Sequence, residues 1–373
     1  MPIVIQPYRA EHEAAVQEFN LRLKAAGAEP DLVFFRSAQP NWLPHIEGGD
    51  LYQEFFVALD DGVVRGGYAL KQQNFSFADG SIRRVAYYHH PLSEGIVNKS
   101  YAVVGSLLLK HAMNRSPLLY CLGMGGYDRP LPKMLVRLGW AHCLVPFYFS
   151  ILKPYRFLRE MQALRSSAGR RLLMDVAALS GTGWAATSAL QTWRRFRAPA
   201  TKPFTVEKIE EFSGWIDPLW QQNRSTYAMT AVRDNVTLRT LYAASDQHFT
   251  RLRIRRNGND IGWAVVGERR KDEKYGAMRV GSIVDCWASP EDALPVLRAA
   301  ADVLEQSGYD LILSNQSHHE WGRALEQCGF LQADSNFIFA ASKGLAALLQ
   351  PFEKNQSLLH FTRADGDGLP RNF

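Results

Sequence analysis

The sequence predicts a mixed α/β protein made of two tandem copies of one unit, joined by a basic helical linker. Three observations carry this reading. Gly67-Tyr68-Ala69 and Gly262-Trp263-Ala264 stand at the same place in two similar strand–turn–strand patterns, 195 residues apart. Leu138-Gly139-Trp140 and Cys328-Gly329-Phe330 end two similar short helices, 190 residues apart. Between the two copies the charge changes character. Residues 151–202 carry 10 Lys and Arg against only Glu160 and Asp175, while 1–150 and 203–373 are close to neutral. The whole net charge of +6 therefore belongs to the joint. The expected divisions are 1–152, the linker 153–203, and 204–373.

Length and composition suit two folded units. The chain has 373 residues, 46% of them apolar and 21% charged, which supplies apolar mass for two cores and excludes general disorder. In the first copy, residues 55–70 read as two strands around an Asp61-Gly62 turn. In the second, residues 251–266 do the same around Asn257-Gly258. Asp-Gly or Asn-Gly between alternating apolar residues is a strong hairpin signal, because both turn positions need a positive φ. A further strand and an apolar-periodic helix follow each hairpin, at 100–113 and 290–306. Next come a strand (118–124 or 310–315), the short Gly-ended helix, and an aromatic closing strand (145–152 or 336–342).

Residues 155–204 read as two or three helices, broken at Ser180-Gly181-Thr182-Gly183 and stopped by Pro199 and Pro203. Two readings stand for 155–200. One is a linker docked on the two units, its arginine stems covering apolar surface. The other is a pair of helices lying on an anionic membrane surface, where Arg and Trp are favoured. Nucleic acid is not expected, since neither unit is basic and no RNA-binding motif is present. Cys121, Cys143, Cys286 and Cys328 form no CxxC pair and read as thiols of a reducing compartment. The N-terminus has no apolar leader region, and no apolar run of spanning length occurs. The expected location is cytoplasmic, peripheral to a membrane if the linker lies on one.

This order of elements, with the paired hairpins and the Leu-Gly-Trp and Cys-Gly-Phe helix endings, resembles the Gcn5-related N-acetyltransferase (GNAT) fold, and two such units resemble the tandem GNAT proteins. Fem-type aminoacyltransferases and acyltransferase-like proteins encoded near polysaccharide genes are among them. The resemblance implies acyl-coenzyme A (acetyl-CoA) as donor, its pyrophosphate held by backbone N–H groups at a helix start carrying a Q/R-x-x-G-x-G/A signature. In the first unit the matching stretch runs from Pro91 to Ser106. Gly105 matches the second signature glycine, Val103 stands at the first, and Lys99 or Ser100 replaces the leading Gln or Arg. The implied donor-binding residues are Lys99, Ser100, Tyr101, Val103 and Gly105. The other reading of this stretch is an ordinary capped helix packing Val103, Val104, Leu107 and Leu108 into the core. In the second unit Ser289, Pro290 and Asp292 form a self-sufficient helix start. Glu291 and Asp292 there would repel a phosphate, so that unit is expected to be structural or to bind the acceptor.

The family's tyrosine acid stands four residues before the closing Gly, where this chain has Leu135 and Leu325. The remaining candidate proton-handling residues are Glu94, His89, His90, Tyr101, Tyr127 and Asp128, of which Glu94, Tyr127 and Asp128 are the ones expected to act. His89-His90 before Pro91 read as a strand end. His318-His319-Glu320 reads as a helix start, and 360–368 as a polar turn. No metal ligand set is expected, because no HExxH or Cys/His pattern occurs. The expected function is transfer of an acyl group from acyl-CoA to an amine or amino-sugar acceptor, in cell-envelope or polysaccharide metabolism. Two other readings accompany it. One is a scaffold without cofactor that binds a membrane surface or an assembly partner. The other is a Fem-type transferase using aminoacyl-tRNA, which would need a basic groove.

Overall fold

The structure, a computed structural model, describes residues 3–45, 48–162, 189, 202–269 and 273–366. The first half runs β1 (Val4–Pro7), α1 (Glu13–Ala25), β2 (Tyr52–Asp60), β3 (Val63–Phe77), β4 (Ile82–Ser93), α2 (Val104–Arg115), β5 (Leu119–Gly123), α3 (Pro130–Arg137), β6 (Ala141–Leu144) and β7 (Phe147–Ile151). After α4 (Pro154–Glu160) the second half runs β8 (Thr205–Ile209), α5 (Ile216–Asn223), β9 (Met229–Ala231), α6 (Asn235–Leu241), β10 (Phe249–Arg256), β11 (Asn259–Glu268), β12 (Val280–Ala288), α7 (Ala293–Gln306) and β13 (Leu311–Asn315). It closes with α8 (His319–Gln327), β14 (Leu331–Ala333), β15 (Ile338–Ala341) and β16 (Leu359–His360). The expected linker breaks at 180–183, the stop at Pro199 and the surface proposed to face a membrane lie outside the described residues. Among the described residues no helix is long and apolar enough to cross a membrane.

Both expected hairpins form. Asp61-Gly62 have φ of 50° and 77°, and Asn257-Gly258 have 51° and 83°. These are the positive values that a two-residue turn matching the strand twist requires. Each central helix packs on its sheet through an i, i+4 stripe: Val104, Leu108 and Ala112 in α2; Ala293, Leu297 and Ala301 in α7. Each sheet's main path has one parallel pair, β4 with β5 and β12 with β13, with antiparallel strands before it; β9 and β16 pair in parallel at the side of the first sheet.

The closing strands differ from the expectation that each half completes itself. They are exchanged. The first sheet has the order β1-β2-β3-β4-β5-β15-β6, and the second β14-β7-β13-β12-β11-β10-β8. β15 comes from the end of the chain yet lies between β5 and β6, with Ile338 opposite Gly123 on one side and Leu144 on the other. β7 lies between β13 and β14, with Phe149 opposite both Leu313 and Leu331. An interior strand satisfies two ladders, so removing either would open two unpaired edges. Each sheet thus depends on a strand supplied by the other half of the chain.

Candidate active site

The starts of α2 and α7 differ in their chemistry. Before α2, Ser93 Oγ accepts from the Gly95 amide at 3.1 Å, and Asn98 Oδ1 accepts from the Ser100 amide at 3.1 Å. The helix itself begins with Val103 as N-cap, without a side-chain cap and without an acid in its first turn. None of the described hydrogen bonds uses the amides of Val103, Val104 or Gly105. Lys99, Ser100 and Val103 are exposed, and a Cβ placed on Gly105 would meet open space. Unused N–H groups at the positive end of a helix suit an anion. At α7 the preceding turn is capped in the same way, but it carries two acids, Glu291 and Asp292. Ser289 Oγ accepts from the Glu291 amide at 3.3 Å, and Asp292 forms a 2.7 Å ion pair with Arg256.

Glu94, expected as a proton acceptor, is held by two arginines. It is buried, and its carboxylate accepts from Arg22 Nη2 at 3.1 Å and from Arg65 Nη1, also at 3.1 Å. The Arg65 guanidinium in turn sits 4.2 Å over the Tyr101 ring. Glu94 is therefore a strut that ties α1, the hairpin and the turn before α2 together. A Cβ on neighbouring Gly95 would come within 2.6 Å of the Tyr101 carbonyl oxygen, which makes this turn tight enough to need glycine.

β4 and β5 pair only at Ala86 with Leu119 and Tyr87 with Tyr120, then separate. A register shift opposite β3 accompanies a positive φ of 51° at His90. At the end of β5, Gly123, Met124, Gly125 and Gly126 all have positive φ. This run turns the chain sharply into α3. Tyr127 lies beyond it, its hydroxyl 2.9 Å from His142 Nδ1 on β6, and burial raises its pKa above the ordinary tyrosine value. Asp128 is exposed on the same turn. The structure thus gathers Lys99 to Gly105 at one helix start, but puts Tyr127 and Asp128 over β6, with β5 and β15 between that strand and β4.

Sequence reasoning named His89 as a candidate but missed the polar stripe along β2 to β4 to which it belongs. Gln53, Lys71, Gln73 and His89 share one face of the sheet, and each is buried. Their register is direct, Gln53 opposite Lys71 and His89 opposite Ala69. The His89 ring stacks on Tyr87 at 4.9 Å. Burial, with the charges of His90 and Lys71 adding to it, pushes the His89 pKa well below the ordinary histidine value, so the ring is neutral at physiological pH. Its Nε2 has no hydrogen-bond partner, and neither do Trp42 Nε1 and Gln73 Oε1. The Lys71 ammonium donates to the Ala364 carbonyl at 3.3 Å and lies 6.0 Å from the Trp42 ring.

Over this stripe lies the segment between α1 and β2. Asn20 pins it through both backbone groups of Phe34, at 2.8 and 2.9 Å. Gln53 Nε2 donates to the Trp42 carbonyl at 3.0 Å, and His90 Nε2 donates to the Val33 carbonyl at 2.6 Å. Together with Gln53, Phe55 and His90 this segment lines a cavity of about 980 Å³, with Val33, Phe35 and Trp42 in its wall. Phe35 stacks on Phe55 at 4.2 Å and meets His90 edge-on at 5.1 Å.

The segment expected as a polar terminal turn is instead buried between the sheets. Arg233 Nη2 binds Asp365 at 2.8 Å and Asp285 at 3.0 Å, all three side chains nearly inaccessible. Tyr242 donates to Asp285 at 2.9 Å, and Tyr120 donates to the Asp365 carbonyl at 2.8 Å. With two carboxylates sharing one guanidinium in a buried site, burial and the Asp365 charge hold Asp285 above the usual carboxylate range.

His318-His319-Glu320 is the helix start expected, with His318 Nδ1 accepting from the Glu320 amide at 3.2 Å. Burial, then the neighbouring His319, pushes the His318 pKa down to about 4. The unfolded chain therefore takes up this proton first. Stability tied to neutral His318 is complete above pH ~6.5 and is lost as pH falls toward 4, at up to ~1.4 kcal/mol per pH unit. His318→Asn keeps a capping acceptor that does not titrate. Urea denaturation between pH 7 and 4.5 should show a shallower decline for it than for the parent, and parallel declines would remove this role.

No family model matches the chain, and no curated protein matches it in sequence. Solved structures do match. The N-myristoyltransferase of Saccharomyces cerevisiae with bound myristoyl-CoA is similar at a TM-score of 0.54 and 9% identity, over 92% of this chain and 84% of that one. A second structure of that enzyme with myristoyl-CoA gives 0.53 at 10% identity, over 92% and 79%. A tandem GNAT protein from the clavulanic acid biosynthesis pathway gives 0.47 at 12% identity, over 91% and 99%. The likeness is one of fold. The two mixed sheets, built from two similar runs of elements, and the match to the myristoyltransferase make this the tandem GNAT fold.

Proposed function

We propose that this chain is an N-acyltransferase that moves the acyl group of an acyl-coenzyme A onto an amine. The observation that carries the reading is the asymmetry of the two helix starts. The turn into α2 is free of carboxylates and is followed by an open glycine, whereas the turn into α7 carries Glu291 and Asp292. The yeast neighbour, which holds myristoyl-CoA, supports the choice of donor.

Acyl-coenzyme A supplies, as substrate, an acyl carbon activated by its thioester. The amides of Val103 to Gly105, with Lys99 and Ser100 beside them, would hold the pyrophosphate. The separation of β4 from β5 past Tyr87 leaves the β4 backbone available to the donor's arm. The aromatic segment 30–42 forms most of the cavity's wall. His89, neutral, with Nε2 unpartnered and next in sequence to the cavity-lining His90, would take the proton of the amine. In the net reaction a C–N bond forms, the C–S bond breaks, and the proton lost by the amine ends on the released thiol. This reading moves the proton-accepting role from Glu94, which two arginines occupy, to His89.

Isothermal titration of the full-length protein with acetyl-CoA and with coenzyme A tests the donor. One site per chain for each ligand is expected. Absence of heat with both at millimolar concentration would overturn the reading.

A further inference from the structure

Four lysine or arginine side chains are buried among the described residues, and three of them have the partners a buried cation needs. Arg233 lies between Asp285 and Asp365. Arg251 donates to the carbonyls of Tyr242, Ala243, Asp246 and Phe249. Lys71 donates to the Ala364 carbonyl and faces the Tyr87 ring. Arg363 is the exception. It is 8% exposed, and its one described hydrogen bond runs from Nη1 to Asn315 Oδ1 at 2.6 Å. Nε is enclosed without a partner, and Nη2 takes part in no described bond. No carboxylate among the described residues pairs with it. Burial and the nearby Arg269 lower its pKa to about 10, opposed only by Tyr275, so Arg363 is still a cation at pH 7.

Arg363 stands where the parallel strands of the second sheet part. β12 and β13 pair from Val280 and Leu311 to Ser282 and Leu313, and no further. Asn315 lies two residues beyond Leu313, on the same face of β13. Its Nδ2 donates to the Pro146 carbonyl at 3.2 Å, which aims Oδ1 at Arg363. The Arg269 guanidinium lies 5.5 Å over the Tyr275 ring. The acids of the surrounding elements are committed elsewhere. Asp285 and Asp365 bind Arg233, Asp310 binds Lys153 and Arg156, and Glu268 binds Arg279. Glu160 of α4 accepts from the Ala277 amide at 3.1 Å. Nε and Nη2 form one edge of the Arg363 guanidinium, with two N–H groups side by side. That edge matches two oxygens of a carboxylate or phosphate. An anion seated on it relieves the cost of a cation buried without counter-charge.

We propose that Arg363 anchors an oxyanion site, in which Nε and Nη2 hold the carboxylate or phosphate of a small ligand side-on and Arg269 adds a second positive charge. The site belongs to the second sheet and is separate from the start of α2, which packs on the first. It does not depend on the acyltransferase reading.

Calorimetric titration and thermal melts of the full-length protein test this, with sodium phosphate and sodium acetate as probes at an ionic strength held constant with sodium chloride. The parent is expected to bind at least one probe saturably at millimolar concentration, with a matching rise in melting temperature. Binding of acetate alone assigns a carboxylate ligand, and of phosphate alone a phosphate ligand. Val103→Glu leaves this binding unchanged, which separates it from any phosphate held at the start of α2. Arg363→Lys keeps the charge but not the edge and weakens binding about tenfold. Arg363→Met abolishes it. In chloride alone Arg363→Met lowers the melting temperature by less than half as much as Arg233→Met does, because removal of an unpaired cation offsets the lost bond to Asn315. A fall of half or more, failure to fold included, would show a counter-ion within the chain and overturn the proposal. So would the absence of saturable binding of both probes, or binding that survives Arg363→Met.

Discussion

Val103→Glu lowers affinity for coenzyme A by at least about 30-fold, or ~2 kcal/mol, without lowering the melting temperature. Val103 is 52% exposed at the N-cap of α2, so the substitution removes no packing. It places a carboxylate where Glu291 and Asp292 stand at α7. That carboxylate would compete with the pyrophosphate for the same amides and would repel it within a few ångströms. It also complements the helix dipole, which stabilises the folded chain by up to ~1 kcal/mol. Affinity and stability therefore move in opposite directions, a result that damage to the fold does not produce. Calorimetric titration and a thermal melt of the same sample read both. Unchanged affinity would place the donor elsewhere.

Arg233→Met costs about 3–5 kcal/mol of unfolding free energy. Removing the cation leaves Asp285 and Asp365 buried side by side, and breaking a buried ion pair from one side has costs of that order. The loss spreads because Asp365 belongs to the segment that joins the sheets. Tyr120 of the first sheet donates to its carbonyl, and Lys71 donates to that of Ala364. Asp365→Asn keeps the Arg233–Asp285 pair and should cost less than half as much. Urea denaturation monitored by fluorescence measures both. A loss below 1 kcal/mol for Arg233→Met would show that the cluster does not hold the tail.

Much of the fold was legible because its signals are local. Asp61-Gly62 and Asn257-Gly258 announce their hairpins through backbone conformations that few residues adopt. The apolar stripes of α2 and α7 have helical spacing, and the self-capped start at Ser289 is written in consecutive residues. The strand exchange was not legible. Phe147–Ile151 and Ile338–Ala341 alternate as any interior strand does, and alternation fixes which faces are buried without fixing the neighbour. Long-range pairing hid the site for the same reason. Glu94 looked like a carboxylate near a helix start, but its partners are Arg22 and Arg65, far back in the sequence. Nothing in the local pattern marks Lys71, Gln73 and His89 as buried. They are buried because residues 30–42 and the tail near Asp365 cover that face, and neither covering segment carries a periodicity that announces it. The histidine pair was visible in the sequence; its cavity was not.

Amide hydrogen exchange of the full-length protein, with and without saturating coenzyme A, tests the central claim most directly. The account predicts slowed exchange in residues 99–108 and no change in 289–296. Protection of 289–296 in place of 99–108, or of neither segment, would contradict it.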